Sequence, residues 1–238
     1  MKVIVNVDDY CLTKSQIDGT IYAYKNGVVS STTCMANMPD ELLEYGAFQA
    51  NENPGLGIGC HLNLTCGQSL TNGKSFTNPD GSFKKNGVLD LYALNPDEVY
   101  IEFKAQIDRF IKFFKRKPTH LDSHHNEYTI QDACGIKEVV ERLLNEYQIE
   151  GGRLHHPRVR SVGSPYNNFT YETFTKKILD QKELGVTFIE IGCHVAFVDQ
   201  ELYEKSSYNY QRLIELKVLT SKEILDFYSS NNIEKAHY

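Results

Sequence analysis

Short apolar runs alternate with amphipathic helical segments along almost the whole 238-residue chain, and this alternation limits the folds open to it. When a helix follows each strand, neighbouring strands pair in parallel and the helices cover the sheet. The pattern predicts a single α/β domain, residues 1–238, folded as a TIM-barrel-like (β/α) barrel with eight regular strands or fewer. The predicted strands are residues 2–7, 28–35, 56–64, 119–125 (leading into a turn), 153–159 and 186–197.

Capping residues mark several helix boundaries. Asn95 can cap a helix with Pro96 in its first position, and Glu98, three residues after Asn95, is placed to complete a capping box. Gly27 stands where a left-handed C-terminal cap is expected. The predicted helices are residues 15–26 and 40–50, a long helix from 95 to 114, and residues 136–147, 171–180, 210–218 and 221–228.

One segment interrupts the alternation. Residues 65–95 are polar and contain four glycines. A segment of this length without regular structure in a compact domain is usually either functional or disordered. We expect it to form a long loop over the active site, as a lid or rim.

Composition excludes several classes of partner. The net charge is −6 and no basic stripe is present, which disfavours nucleic acids and anionic membranes. The first apolar run is too short for a signal-peptide core, and no stretch approaches the roughly 20 apolar residues of a membrane span. We therefore expect a cytoplasmic protein. The six cysteines form no C-x-x-C pair, which indicates reduced, mostly buried thiols rather than a zinc ribbon.

Four of the apolar runs end in ionisable residues: VIVNVDD, LGIGCH, THLDSHH and FIEIGCH. In a parallel barrel the carboxyl ends of the strands share one face, which is where active sites lie. The sequence therefore predicts that these residues converge on one site. They are Asp8, Asp9, His61, Asp122, His124, His125 and His194.

Such a cluster has the groups needed for metal-assisted hydrolysis of an amide. Two imidazoles and one carboxylate can hold a divalent metal and leave positions for water and substrate. A further carboxylate can accept the proton of the water, and a histidine can protonate the leaving amine. Each residue taken alone also has a structural interpretation, since an Asp pair often forms a turn or helix cap and a lone histidine is often only hydrogen-bonded.

The chain resembles the YdjC-like carbohydrate deacetylases, and among them the chitooligosaccharide deacetylases. The matching segments are VNVDDYCLTKSQIDGTIYAYKNGVVSSTT, GIGCHLNLTCGQSLT, RKPTHLDSHHN, GCHVAFVD and RLIELKVLTS, which together reach to about Ser221. This resemblance implies a barrel-like (β/α) fold and removal of acetyl groups from N-acetylglucosamine units of short chitin-type oligosaccharides. It also implies a divalent metal, magnesium rather than zinc, a small carbohydrate as partner and a homodimer.

The resemblance also assigns roles to residues. It assigns the role of catalytic base to Asp8 and a metal contact to Asp9, although these two roles can be exchanged. His61 and His124 become metal ligands, and His194 becomes the acid or a group that stabilises the transition state. Residues that orient a ligand or contact the substrate are then Asp122, His125 and Arg153.

The sequence departs from the family pattern at a few positions. Asn126 and Tyr128 stand where further histidines are usual, and Val195 stands where proline is usual. Tyr10 and Cys11 replace an aromatic residue followed by glycine. We expect these differences to change substrate fit rather than the predicted ligands.

Two alternatives to a sugar deacetylase remain. One keeps the metal but acts on a different small molecule, as a deacylase or a phosphoesterase. Phosphate chemistry would need an arginine or glycine-rich anion cradle, and the sequence contains no clear one. The other alternative is a non-catalytic sugar-binding or regulatory relative, for which only Asn126 and Val195 give support.

Overall fold

Seven parallel strands form one sheet in the computed structural model, which describes residues 1–126, 135–153 and 155–238. They are β1 Lys2–Tyr10, β2 Ser31–Cys34, β3 Gly57–Leu62, β4 Leu121–Ser123, β5 Arg160–Ser161, β6 Phe188–Cys193 and β7 Glu234–Lys235. The strand order is β4-β3-β2-β1-β6-β5, and β7 pairs with the beginning of β1. The sheet forms a half-barrel surrounded by helices, so the predicted α/β barrel with fewer than eight regular strands is confirmed.

Eight α-helices lie in the described part of the chain. They are α1 Lys14–Asn26, α2 Asp40–Asn51, α3 Pro96–Phe114, α4 Ile136–Tyr147, α5 Tyr171–Glu183, α6 Gln200–Lys205, α7 Tyr210–Leu219 and α8 Lys222–Ser230. None of these helices is long and apolar enough to cross a membrane.

The two faces of β1 have different environments. Val3, Val5 and Val7 belong to an apolar cluster that also contains residues of α5, α7 and α8. On the opposite face, Asn6 is fully buried and donates hydrogen bonds to Thr33 of β2 and, more weakly, to Asp122 of β4. One side of the sheet therefore forms the apolar core, and the other carries a buried polar network that leads to the strand ends.

The region 65–95 is a structured segment anchored to α3. Isolated bridges pair Gln68 with Ser82 and Thr77 with Phe83. The carboxylate of Glu102 accepts hydrogen bonds from the segment, including the Ser69 hydroxyl at 2.7 Å. These contacts hold the segment beside the carboxyl ends of the strands, where it lines the cavity described below.

Several local predictions were wrong. Residues 153–159 do not form a strand where they are described: Arg153 lies in a turn, and the strand at this place is β5. Gly27 has an extended φ of −141° rather than a left-handed one, and glycine is needed there because a Cβ would lie 2.1 Å from the Leu219 carbonyl oxygen. Glu98 completes no capping box, since its carboxylate accepts from the Ser75 amide instead.

Other differences concern length and placement. The sequence missed α6 and β7, which are short, and β1 continues through the Asp pair at which it was predicted to stop. The five described cysteines are free thiols, and four of them are buried. The predictions that involve Tyr128 and Cys134 lie outside the described residues.

Candidate active site

A bulge near the end of β1 directs two neighbouring carboxylates into one site. The register between β1 and β2 shifts between Val7 and Tyr10, and Asp9 has a positive φ of 67°. In an unbroken strand, Asp8 and Asp9 would point to opposite faces of the sheet. The bulge removes this constraint. A left-handed non-glycine residue costs on the order of 1 kcal/mol or more, so surrounding contacts must maintain it.

Asp9, His61 and His124 bring three potential metal-binding atoms together. Oδ1 of Asp9 lies 3.3 Å from Nε2 of His61 and 2.9 Å from Nδ1 of His124. Donor atoms bound to one ion at about 2.1 Å lie roughly 3 Å from each other. The three side chains could therefore hold a divalent cation with little movement.

The neighbours of these residues orient them for that role. Oδ1 of Asp122 lies 2.6 Å from Nδ1 of His61, which leaves Nε2 facing Asp9, and Thr33 donates a hydrogen bond to Oδ2 of Asp122. Metal-binding histidines commonly have such a carboxylate on the second ring nitrogen. The outer oxygen of Asp9 accepts a hydrogen bond of 2.6 Å from the buried Arg212.

These partners outweigh the effect of burial on charge. Burial would raise the pKa of Asp9, but Arg212 and His124 hold that pKa well below its usual value. Burial would lower the pKa of His61, but Asp122 and Asp9 hold that pKa well above its usual value. A metal ion at Nε2 would therefore have to displace a proton from His61.

A second group of potential ligands, Asp8, His61 and Asp122, is less suited to a cation. Both oxygens of Asp8 accept hydrogen bonds from Arg153, at 2.8 and 2.5 Å. Arg153 also lies 3.1 Å from Asp122. Arg153 thus occupies both oxygens of Asp8, whereas Arg212 binds only Oδ2 of Asp9 and leaves Oδ1 for a cation, which favours the Asp9 group.

Arg153 forms ion pairs with several carboxylates within the half-barrel. Besides Asp8 and Asp122, it contacts Glu190 of β6 at 3.1 Å, and only 11% of its side chain is exposed. Burial would raise the pKa of Asp8, but Arg153 overcomes this and holds the pKa below its usual value. Asp8 is therefore ionised at neutral pH. The guanidinium faces these carboxylates, so any contact with substrate would be limited to its exposed part.

His194 follows β6 and lies beside Asp8. Its Nε2 is 3.8 Å from Oδ2 of Asp8, and its Nδ1 is 4.0 Å from Oε1 of Glu215. Burial lowers the pKa of His194 to about 4, against the opposing effect of Asp8. The ring is therefore neutral at pH 7 and can act as a general acid only after it receives a proton.

Glu215 holds the loop that carries His194. Its buried carboxylate accepts hydrogen bonds from the His194 backbone amide and from the hydroxyl of Tyr208, the latter at 2.5 Å. Nδ1 of His194 is buried and has no hydrogen-bond partner among the residues that the structure describes. Burial raises the pKa of Glu215 to about 7, so its protonation changes near neutral pH.

His125 adjoins the group formed by Asp9, His61 and His124 and connects it to the 65–95 segment. It has a positive φ of 59° and its ring packs on His124 at 3.8 Å between centroids. Its Nδ1 lies 2.8 Å from the hydroxyl of Thr65, at the start of the 65–95 segment. His125 is therefore a supporting contact between this segment and the site.

The charges around the site favour a bound cation. Five buried carboxyl groups surround two guanidinium groups there, and burial raises the pKa of two of the carboxyl groups, those of Glu190 and Glu215. A divalent ion that replaces the proton of His61 would offset part of the negative charge that then remains. The carboxyl groups belong to Asp8, Asp9, Asp122, Glu190 and Glu215, and the guanidinium groups to Arg153 and Arg212.

The site opens onto a cavity of about 1070 Å³. Asp8, Asp9, His61, His124 and His194 all line it. One wall comes from the 65–95 segment and another from Tyr166, Tyr208 and the residues before α7. This volume lies slightly above the roughly 300–1,000 Å³ usual for small-molecule sites.

The structure thus brings together the residues that end four predicted strands. Sequence reasoning missed Thr33, Glu190, Arg212 and Glu215. Arg212 and Glu215 occur in the RLIELKVLTS segment that carries the family resemblance. That segment was the only available signal for them, because a charged residue in an amphipathic helix is ordinarily solvent-exposed.

Comparison with known sequences decides the family. The model of the YdjC-like protein family matches residues 2–230. The chain belongs to the YdjC-like family. A carbohydrate deacetylase of Clostridium beijerinckii is 34% identical and aligns over 100% of this chain and 99% of its own. A chitooligosaccharide deacetylase of Yersinia enterocolitica is 35% identical, with coverage of 92% and 90%.

Solved structures extend the comparison of this YdjC-like chain. A candidate cellobiose-phosphate cleavage protein of Enterococcus faecalis superimposes with a TM-score of 0.85 at 30% identity, covering 100% of this chain and 97% of the other. The catalytic domain of a peptidoglycan N-acetylglucosamine deacetylase of Eubacterium rectale gives a TM-score of 0.56 at 8% identity, with coverage of 100% and 88%. This second likeness is one of fold alone.

Proposed function

We propose that this protein is a metal-dependent hydrolase that removes N-acetyl groups from amino-sugar oligosaccharides of the chitin type. The observation that carries the proposal is the grouping of Asp9, His61 and His124, beside Asp8 and His194, at the floor of one cavity. The names of the relatives that align over nearly the whole chain support a sugar acetamide as the substrate.

In this proposal Asp9, His61 and His124 hold the metal. A divalent cation supplies an acidified water and polarises the acetyl carbonyl. The resemblance implies magnesium, whereas two imidazole nitrogens also suit zinc. The pairing of Asp8 with Arg153 supports Asp9, rather than Asp8, as the carboxylate ligand.

Asp8 and His194 carry the proton transfers. Because Arg153 holds the pKa of Asp8 low, Asp8 is a weak base that needs an acidified water as its proton source. His194 Nε2 lies 3.8 Å from Asp8 Oδ2, which is longer than a hydrogen bond, so a small approach of the two side chains would be needed to pass the proton on. Protonated His194 can then donate to the nitrogen of the leaving amine, which an amide needs before it can depart.

The charge arrangement around the candidate metal ligands disfavours the phosphoesterase alternative, although Lys85 and Lys205 also line the cavity. A phosphate site needs cationic groups that are free to face the ligand. The two guanidinium groups at the cavity floor are instead bound to carboxylates, Arg153 to Asp8 and Arg212 to Asp9. An uncharged acetamide meets no such conflict with the surrounding carboxylates.

The test is acetate release from diacetylchitobiose by purified protein of known metal content, with and without a chelator. We expect release that the chelator abolishes and that added metal restores. Release that continues in metal-free protein would exclude the metal mechanism. Absence of release from metal-loaded protein would exclude this substrate class in favour of another acyl group or a non-catalytic role.

A further inference from the structure

Tyr166 is an exposed aromatic residue in a strained backbone conformation at the edge of the cavity. It begins a short 3₁₀ helix, Tyr166–Asn168, and has a φ of 48° with 45% of its surface exposed. A bulky residue in the left-handed region is uncommon and persists only where its surroundings maintain it. Its position therefore needs an explanation other than burial of an apolar side chain.

The ring of Tyr166 lies against two residues of the site. It stacks on Tyr208, with 4.4 Å between centroids and an angle of 10° between planes. It also meets the ring of His194 edge-on, with centroids 5.6 Å apart. Tyr208 is buried and fixed through its hydroxyl to Glu215. The stack thus supports one face of Tyr166, and its exposure leaves the other available to the cavity.

We infer that Tyr166 is a stacking platform for a second sugar ring of the substrate, next to the ring that loses its acetyl group. The inference rests on the proposed function and assigns a subsite to it. The C–H groups of a pyranose face carry partial positive charge, which an aromatic ring face attracts. Asp8 lies beside His194, and His194 contacts the ring of Tyr166. Tyr166 is therefore placed next to the position at which the acetamide would react, rather than at that position.

The rest of the cavity suits an occupant larger than one sugar. Its volume of about 1070 Å³ exceeds what a single acetylated ring requires. The 65–95 segment contributes the side-chain amide of Asn86, which can bind sugar hydroxyl groups, and the side-chain oxygens of Asn78 and Ser82, which can accept from them. An aromatic platform with polar groups elsewhere in the cavity provides both kinds of contact that a pyranose needs.

The test compares the binding of diacetylchitobiose and N-acetylglucosamine by titration calorimetry in the presence of a chelator, so that turnover is blocked. For Tyr166→Ala we expect a Kd for the disaccharide about tenfold higher than wild type, equivalent to about 1.4 kcal/mol. The Kd for the monosaccharide should change less than about twofold. Tyr166→Phe, which keeps the ring, should bind as wild type does. Tyr92→Ala removes a tyrosine that is 76% exposed and outside the cavity lining, and serves as the control.

An unchanged disaccharide Kd in Tyr166→Ala would overturn the platform. Equal weakening of both sugars would also overturn it, because it would mean that Tyr166 only supports His194 and Tyr208. Failure of the wild type to bind either sugar would overturn it as well. Acetate release by the wild type is measured separately from sugar binding. A negative binding result would therefore contradict the stacking role of Tyr166 without contradicting the deacetylase reaction, and absence of acetate release would contradict the reaction without contradicting the stacking role.

Discussion

Arg212 and Glu215 lie about one turn apart on α7 and reach different parts of the site. Arg212 binds the outer oxygen of Asp9 at 2.6 Å, whereas Glu215 accepts a hydrogen bond from the backbone of His194. One helix thus positions both a proposed metal ligand and the proposed acid. The residues proposed to touch the reacting atoms come from strand ends, and a helix packed behind them contacts two of these residues.

Glu215→Gln should slow turnover without removing the metal. The change keeps the size of the side chain but removes the carboxylate beside Nδ1 of His194, so protonated His194 loses a stabilising charge. We expect kcat to fall by about 10- to 100-fold. Acetate release and metal content measure the two effects, and the pH profile of kcat should shift. The exposed Glu223→Gln is the matched control; equal kcat values for the two variants would contradict a positioning role.

Asp8→Asn and His124→Ala should separate base catalysis from metal binding. Asp8→Asn leaves Asp9, His61 and His124 intact, so we expect retained metal and a kcat lower by at least about 100-fold. His124→Ala removes a donor atom 2.9 Å from Asp9, so metal and activity should be lost together. Elemental analysis of the purified variants measures the metal, with the exposed His237→Ala as control. Loss of metal from Asp8→Asn would reverse the roles of Asp8 and Asp9.

Most of the fold and the convergence of the site could be predicted from the sequence. The apolar runs are short and regular, and parallel strand ends must share one edge, so the sequence alone places His61, His124 and His194 together. Helix α4 was predicted at Ile136–Tyr147, the bounds observed.

What could not be predicted depends on tertiary contacts. The strand expected at 153–159 failed because Arg153 turns inward to Asp8, Asp122 and Glu190, and propensity contains no information on such ion pairs. The bulge at Asp9 could not be predicted either, since strand alternation predicts that the carboxylates of Asp8 and Asp9 lie on opposite faces of the sheet. Gly27 is required by the approach of the Leu219 carbonyl, a contact between distant parts of the chain.

Metal affinity should rise with pH around neutrality. Asp122 and Asp9 hold the pKa of metal-free His61 above its usual value despite burial, so the ring favours its protonated form. Metal must displace that proton, and a higher pH weakens the competition. We expect apparent affinity to increase by up to about tenfold per pH unit between pH 6 and 8, with a proton released on binding. Calorimetric titration in buffers of different ionisation enthalpy measures both. Affinity independent of pH would show that His61 is neutral before the metal binds.

The stability of the protein should decline in mild acid because of His120. This residue is buried below the site, its Nε2 lies 3.2 Å from the Asn6 side-chain oxygen, and burial lowers its pKa to about 3. The usual value is 6.5, so between these values the unfolded chain binds a proton that the folded protein does not. The stabilisation that neutral, buried His120 gives to the folded protein is complete above about pH 6.5 and is lost as the pH falls towards 3.

His120→Gln removes this titration while keeping a side-chain amide in place of the ring. The free energy of unfolding of the wild type should therefore fall more steeply than that of the variant between about pH 6 and 4.5, by up to about 1.4 kcal/mol per pH unit. Urea unfolding of metal-free protein at several pH values measures the difference. The other histidines and carboxylates titrate in both proteins and cancel in the comparison. Parallel pH dependences for the two proteins would mean that His120 accepts a proton in the folded state.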